Sequence, residues 1–284
     1  MIRSYHVSFP GLGFEFDISP VAFTIGSFSV YWYGVIIAVG FILAVTYCMR
    51  ITDKHNVNKD SLLNCVIVGM ITAVIGARAY YVAFSWDNFK GDLPSILNIH
   101  QGGLAIYGGL IGALAGGLTA AKIQKMKLTA VLDVTVFGFL IGQGIGRWGN
   151  FMNQEAFGTP TDLPWRMVSE NTGGVGVHPC FLYESLWCLL GFALFHFFIG
   201  KNKKYDGQIF LSYLVWYGFE RTLVEGLRTD SLYLPFGNIR VSQLLSFLLF
   251  LTGSVLLIWN HFRKKAPLSE YDDEKDTNNS AEKE

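Results

Sequence analysis

The feature that most constrains this chain is a series of long apolar runs that recurs along almost its whole length. Each run has roughly 20 residues, the length that an α-helix needs to cross the hydrocarbon core of a bilayer. Because that core offers no water to unpaired backbone groups, such runs must cross it as helices. The sequence shows seven runs, at about 22–49, 61–84, 104–121, 129–146, 180–199, 207–226 and 241–262.

The composition agrees with a membrane protein. The chain is 51% hydrophobic and 15% charged, whereas a soluble domain has about a quarter charged residues. We therefore predict an all-α, polytopic membrane protein with seven transmembrane helices in one membrane domain, residues 1–265. The first run is longer than a span requires, so part of it is expected to tilt or to lie along the interface. Residues 1–20 lack the compact apolar segment and cleavage site of a signal peptide.

Basic residues indicate the orientation. Twelve Lys and Arg residues follow the odd-numbered runs, and five lie in the loops on the opposite side. The positive-inside rule then places the N-terminus outside and the C-terminus in the cytoplasm. Long extracytoplasmic loops are predicted at about 85–103 and 148–179, and the acidic residues 266–284 are predicted to be a disordered cytoplasmic tail. The expected environment is a lipid bilayer, with no nucleic acid as a partner.

Glycines repeat every four residues in two of the runs. Small residues at this spacing let helix backbones approach closely, so we predict that the third and fourth spans pack against each other. The repeating glycines are Gly108, Gly112 and Gly116 in the third run and Gly138, Gly142 and Gly146 in the fourth.

Polar residues are concentrated where the fourth run ends. The stretch GQGIGRWGNFMNQEAFG (142–158) places Arg147, Asn150, Asn153, Gln154 and Glu155 within nine residues. Charges at membrane depth are costly and usually belong to functional sites. This stretch is therefore a candidate site.

The sixth run carries a second polar face. Tyr217, Arg221 and Glu225 recur every four residues, and Arg228 follows on the same helical face. Arg221 and Glu225 can pair along the helix, so this face is either a structural ion pair or the lining of a cavity. Glu220 is expected to point away from it, toward lipid or a packing surface. In the second run, Arg78 is either a site residue or a snorkelling arginine.

Three arginines are predicted to converge on the outer leaflet. The second, fourth and sixth spans run outward, which brings Arg78, Arg147 and Arg221 to the same side. A guanidinium contacts two phosphate oxygens at once, so the expected occupant is a phospholipid headgroup. An anion transporter would also use arginines, but it would more often show a repeat and broken helices that face both sides. The one-sided polarity favours an enzyme.

The segment GRWGNFMNQEAFG (146–158) closely resembles the signature of the prolipoprotein diacylglyceryl transferases, GR-x-GNF-x-N-x-E-x-x-G, at every fixed position. Five other segments resemble blocks of that family in the same order. They are YWYG (31–34), GAR (76–78), GGLAIYGGLIGA (102–113), HPCFLYE (178–184) and YGFERTLVEGLRTD (217–230).

The resemblance implies a seven-span enzyme of the bacterial cytoplasmic membrane whose active site faces the outer leaflet. The implied reaction moves the diacylglyceryl group of phosphatidylglycerol to the lipobox cysteine thiol in the signal peptide of a preprolipoprotein. A thioether forms and glycerol phosphate leaves. The resemblance implies no cofactor and no metal, because the phospholipid is itself the activated donor.

The resemblance also assigns residues. Arg147 and Arg221 match the essential arginines and are expected to be catalytic together with Tyr107. The residues expected to bind phosphatidylglycerol are Arg147, Asn150, Tyr33, Arg78, Glu155, Gly158, Tyr217 and Glu225. Tyr33 also fits an aromatic belt at the membrane interface, with Tyr31 and Trp32.

Tyr107 is a departure from the family pattern. It occupies the position where many members have a histidine proposed to activate the thiol, and neither His100 nor His178 matches that slot. A thiol has a reference pKa of about 8.5, so nearby arginines could generate much thiolate. Our hypothesis is that the arginine field activates the thiol, while Tyr107 orients a substrate by hydrogen bonding.

Overall fold

The computed structural model describes residues 4–26, 28–98, 102–235 and 237–263. These residues are mostly helical, with two small β-sheets in addition to the helices that the all-α prediction expected. The helices are α1 (Trp32–Ile51), α2 (Lys59–Phe84), α3 (Ile106–Ile123), α4 (Leu128–Asn153), α5 (Cys180–Leu194), α6 (Gln208–Leu227) and α7 (Val241–Phe262). The strands are β1 (Tyr5–Phe9), β2 (Phe14–Ile18), β3 (Val21–Ile25), β4 (Phe28–Tyr31) and β5 (Val168–Ser169). The predicted tail, 266–284, lies outside the described residues.

Six of the described helices are long and apolar enough to cross a membrane, which makes this a polytopic membrane protein. They are α1, α2, α3, α4, α5 with its π-helical extension to Ile199, and α7. The remaining helix, α6, has 20 residues but carries Glu220, Arg221 and Glu225 in its second half.

The first apolar run divides into two structures. Helix α1 begins at Trp32, whereas strands β3 and β4 before it form an antiparallel hairpin in which Ile25 pairs with Phe28. Gly26 turns the chain in the left-handed region, with φ 60°. The predicted span 22–49 was therefore wrong in its first ten residues. A short apolar run rich in β-branched and aromatic residues fits a strand as well as a helix.

The chain divides into two compact units, Met1–Cys48 with Asp133–Leu268, and Met49–Leu132. In the first unit, the sheet β2–β1–β5 covers the end of α4 and the start of α5. Val7 of β1 is fully buried in a core with Phe151, Met167, Val177 and Phe181. This core fixes the segment that carries the signature residues.

The glycines of α3 pack against α2, and not against α4 as predicted. A Cβ on Gly108 would collide with the Gly76 carbonyl of α2, and one on Gly112 would collide with the Thr72 carbonyl. The spacing correctly identified a face for close helix packing, but a repeat on one helix does not name its partner.

Two of the three repeating glycines of α4 pack against α1. A Cβ on Gly138 would lie 2.9 Å from the sulfur of Cys48, and one on Gly146 would lie 3.2 Å from Ile37 Cδ1. Gly144 faces α5, where an added Cβ would lie 3.2 Å from Leu189 Cδ2. Close packing on two sides holds α4 and therefore the side chains at its end.

At the other end of α4, a buried carboxylate joins α4 to α6. Asp133 is fully buried and accepts hydrogen bonds of 2.8 Å from the backbone N–H groups of Gly207 and Phe210, which begin α6. Lys203 Nζ lies 3.0 Å from Asp133 and 2.7 Å from Asp206. This lysine, one of the twelve basic residues assigned above to the cytoplasmic side, is therefore buried in an ion-pair cluster.

Candidate active site

One buried carboxylate links the two arginines that the sequence singled out. Glu184 of α5 is 2% exposed and lies between α4 and α6. Arg147 Nε is 2.6 Å from Glu184 Oε2, an ion pair whose angle does not make a regular hydrogen bond. Arg221 Nη1 donates to the other oxygen, Oε1. The three side chains bring helices α4, α5 and α6 together at one point.

A second carboxylate holds the other side of Arg221. Glu225 Oε2 lies 2.5 Å from Arg221 Nη2, one helical turn away, and its side chain is 2% exposed. The pairing that the four-residue spacing allowed is therefore present. The backbone carbonyl of Glu225 accepts a bond from Arg240, which fixes the end of α6.

Arg228 extends the cluster beyond α6. Its Nε and Nη2 donate to the two oxygens of Asp230 at 2.9 and 2.6 Å, and its Nη1 lies 3.8 Å from Glu184 Oε1. Burial opposes ionisation of Asp230, but the hydrogen bonds from Arg228 outweigh it and hold the pKa of this carboxyl below its usual value. Burial alone would lower the pKa of Arg228, whereas the nearby carboxylates Asp230 and Glu184 raise it.

The cluster thus pairs three guanidinium groups with three carboxylates. Buried charges are tolerated only when they are paired in this way. Arg147 is the most accessible of the three arginines, at 23% side-chain exposure against 12% for Arg221 and 11% for Arg228. It is therefore the guanidinium that an incoming anion can reach first.

The chain makes a tight turn where α4 ends, after Asn153. Arg147 Nη1 lies 3.4 Å from Asn150 Oδ1, and Asn150 Nδ2 donates to Glu155 Oε1 at 2.9 Å. Gln154 and Ala156 have positive φ values of 51° and 58°, which non-glycine residues rarely adopt. The polar side chains of the signature thus form one network with the arginine, and Glu155 is its exposed member.

Gly158 brings three segments together. Its N–H donates to the His178 carbonyl at 2.9 Å before α5, and it pairs with Arg228 after α6. A Cβ here would lie 2.7 Å from the Cβ of His178 and 2.9 Å from the sulfur of Cys180. Gly158 is therefore closely packed against the start of α5, and any larger residue would push these segments apart.

Two predicted tyrosines lie against the same helices. The ring of Tyr33 in α1 covers Gly149, where an added Cβ would lie 2.8 Å from Tyr33 Cδ2. Tyr217 stacks on Tyr213 at 5.7 Å between ring centroids and interacts electrostatically with Arg221 and Arg147. Both tyrosines are therefore part of the unit that holds the arginine cluster.

Arg78 and Tyr107 lie in the other unit, Met49–Leu132. All five N–H groups of Arg78 donate to backbone carbonyls. The acceptors are Ser95, Ile96, Asn98, Gly102 and Gly103. This arginine therefore shapes the loop before α3. Tyr107 is the second residue of α3 and is partly buried.

Of the two histidines that were weighed against Tyr107, the structure describes His178. His178 Nδ1 lies 3.2 Å from the hydroxyl of Tyr183, and burial lowers the pKa of His178, which keeps its ring neutral near pH 7. His100 lies outside the described residues.

Sequence reasoning did not assign Glu184, Asp230 or Glu220 to the site, and it placed Arg228 on the polar face of the sixth run without giving it a role. Glu184, Arg228 and Asp230 stood in the quoted segments HPCFLYE and YGFERTLVEGLRTD, but no spacing links them to Arg147. Glu220, which was expected to face lipid or a packing surface, is 5% exposed, and its electrostatic partners include Glu184 and the cluster arginines.

Comparison with known proteins identifies the family. The sequence model of the family described as prolipoprotein diacylglyceryl transferase matches residues 20–259. A phosphatidylglycerol–prolipoprotein diacylglyceryl transferase of Finegoldia magna is 43% identical over 238 residues, which cover 84% of this chain and 94% of the relative. The enzyme of the same name from Listeria welshimeri is 40% identical over 88% of this chain and 92% of its own length. The one from Clostridioides difficile is 38% identical over 88% and 98%, respectively. The predicted resemblance is thus confirmed: the chain belongs to the prolipoprotein diacylglyceryl transferase family of membrane enzymes.

Proposed function

We propose that this protein transfers the diacylglyceryl group of phosphatidylglycerol to the lipobox cysteine of a prolipoprotein, the first step of lipoprotein maturation. The names of its relatives supply the two substrates. The observation that carries the proposal is the Glu184 carboxylate that bridges Arg147 and Arg221. It holds two guanidinium groups together at one point, as the phosphate of a phospholipid requires.

The lipid phosphate binds by competing with the carboxylates for these arginines. Arg147, the most exposed of the three, takes the first contact, and Arg221 joins it as its bond to Glu184 loosens. Asn150, Glu155, Tyr33, Tyr217 and Glu225 surround the headgroup, while Gly158 keeps their segments close. Arg78 supports the loop before α3 and makes no lipid contact in this proposal.

In the chemical step, the cysteine sulfur attacks the glycerol carbon that is bonded to the phosphate. The carbon–oxygen bond breaks, and its electron pair stays on the phosphate, which leaves as glycerol phosphate. A phosphate monoester carries more negative charge than the diester from which it came. Arginines placed on the leaving group therefore stabilise the transition state more than the ground state.

The proposed setting is the bacterial cytoplasmic membrane. We take α6 as a seventh span, because its charges face the paired cluster and its length equals that of α1. With seven spans, the N-terminus lies outside, the C-terminus is cytoplasmic and Arg147 lies toward the outer leaflet, in accord with the loop charges.

The direct test uses purified protein, labelled phosphatidylglycerol and a lipobox peptide, with Arg147→Ala as the control. A labelled thioether that forms with the wild type and disappears in the control supports the proposal. If no product forms although the folded protein binds phosphatidylglycerol, the protein is a lipid-binding or transport protein.

Tyr107 is tested by its phenylalanine variant. If this tyrosine only orients a substrate, Tyr107→Phe retains turnover within about tenfold of the wild type, because the loss of one neutral hydrogen bond costs roughly 0.5–1.5 kcal/mol. A loss of several orders of magnitude would assign Tyr107 the role of the family histidine.

A further inference from the structure

One buried carboxyl group outside the ion pairs of the cluster has no assigned role. Glu220 directly precedes Arg221 on α6, and its side chain is 5% exposed. Its Oε1 atom is buried and has no hydrogen-bond partner among the described residues. Buried polar atoms are nearly always paired, so an exception requires an explanation such as a catalytic role.

The surroundings of Glu220 place it with the arginine cluster. Glu184 repels its charged form, while Arg147, Arg221 and Arg228 attract it. The charge of Glu220 also acts electrostatically on Cys188 of α5 and on Tyr213 and Tyr217 of α6. These opposing influences suit a group that changes its protonation state during a reaction.

The charges of the cluster already balance, so the transfer reaction needs a further group to accept a proton. Glu184, Glu225 and Asp230 already neutralise the three arginines, so the field available to ionise a thiol is smaller than the arginines alone would give. The reaction under the proposed function nevertheless releases one proton from the cysteine. The paired arginines cannot accept it, because they are already protonated.

We propose that Glu220 is the proton acceptor of the transfer step. The S–H bond breaks and its proton moves to Glu220 Oε1, while the sulfur forms a bond to the glycerol carbon. The bond from that carbon to the phosphate oxygen breaks, and the electron pair leaves with glycerol phosphate. Glu220 then returns the proton to the departing phosphate or to water.

The proposal rests on the proposed function and is tested by the pH dependence of kcat/KM for transfer to a lipobox peptide. Glu220→Gln keeps the size of the side chain but cannot accept a proton. We expect a loss of about 100-fold at pH 7, within the range for general base catalysis. The loss should shrink to about threefold at pH 9.5, because a thiol with a pKa of about 8.5 is then ionised without a base. Glu220→Asp should retain more activity than Glu220→Gln, and the exposed control Glu15→Gln should match the wild type.

A second substrate separates chemistry from folding. A peptide with selenocysteine in place of the lipobox cysteine has a selenol that is largely ionised at neutral pH. Glu220→Gln should use it at pH 7 with less than a fivefold deficit. A deficit that is equal at every pH and for both peptides, or full activity of Glu220→Gln at pH 7, overturns the proposal. Wild-type transfer and its loss in Arg147→Ala at every pH test the proposed function independently.

Discussion

Arg147 and Glu184 are 37 positions apart in the sequence, yet the guanidinium Nε of one lies 2.6 Å from the carboxylate of the other. The same carboxylate binds Arg221. This single contact joins the end of α4 to α5, and through Arg221 to α6, so the strength of the cluster can be tested one side chain at a time.

Glu184→Gln should damage both stability and activity. The amide keeps the shape of the side chain but leaves Arg147 without its carboxylate and Arg221 with Glu225 alone, and breaking a buried pair costs about 3–5 kcal/mol. We expect a lower midpoint of thermal unfolding in detergent and a lower kcat/KM. Glu15→Gln on the exposed face of β2 is the control. An unchanged melting midpoint for Glu184→Gln would show that the arginines are not held by this carboxylate.

Arg147→Lys should fold but transfer poorly. Lysine keeps the positive charge but loses the planar fork that contacts two phosphate oxygens. Removing one donor from a developing anion costs about 10²–10³ in kcat, so we expect a fall of about 100-fold in kcat with a smaller change in KM. Steady-state kinetics at several lipid concentrations separate the two constants. Equal rates for lysine and arginine would mean that charge alone is sufficient at this position.

Asp230 should make stability sensitive to acid. Its pKa is held below the usual value by Arg228, so the unfolded chain binds the proton more readily. The stabilisation is complete above about pH 5, beyond the unfolded pKa near 3.9, and is lost as the pH falls through the folded pKa. Asp230→Asn should lower stability at pH 7 on the order of 1 kcal/mol or less, because the half-exposed pair is screened. Denaturation curves for both proteins should converge in acid; a gap that stays constant to pH 3 would contradict this assignment.

Asp133→Ala should destabilise the protein without changing the chemistry. The variant removes two hydrogen bonds at the start of α6, worth about 1–2 kcal/mol as a helix cap, and leaves Lys203 without one of its carboxylates. We expect a lower unfolding midpoint and an unchanged KM for the folded fraction. A large change in KM with normal stability would instead connect this end of α4 to the substrate.

Gly108→Ala should separate α2 from α3. Its new methyl group would meet the Gly76 carbonyl and the Cβ of Tyr80, and overpacking of this kind typically costs about 1–3 kcal/mol. Gly34→Ala in α1 is the matched control, since nothing lies within 4 Å of an added Cβ there. Thermal unfolding of the two variants should differ clearly; equal midpoints would show that the helices can move apart at little cost.

Much of this architecture follows from local patterns. Apolar length located the helices, and the Arg221–Glu225 pair followed from helical spacing, because both depend on residues near each other in the chain. The strand pair before α1 was missed because short apolar runs suit both structures. Glu184 and Glu220 could not be assigned from spacing, since their roles depend on which helices meet, and that is decided by packing between distant segments.

Five hydrogen bonds from Arg78 hold the backbone before α3. Every acceptor is a backbone carbonyl, a group that all amino acids carry. Apart from Gly102 and Gly103, whose φ values are 88° and 78°, the acceptor positions 95, 96 and 98 therefore need no particular side chain. Substitutions at these three positions should leave the hydrogen bonds of Arg78 in place.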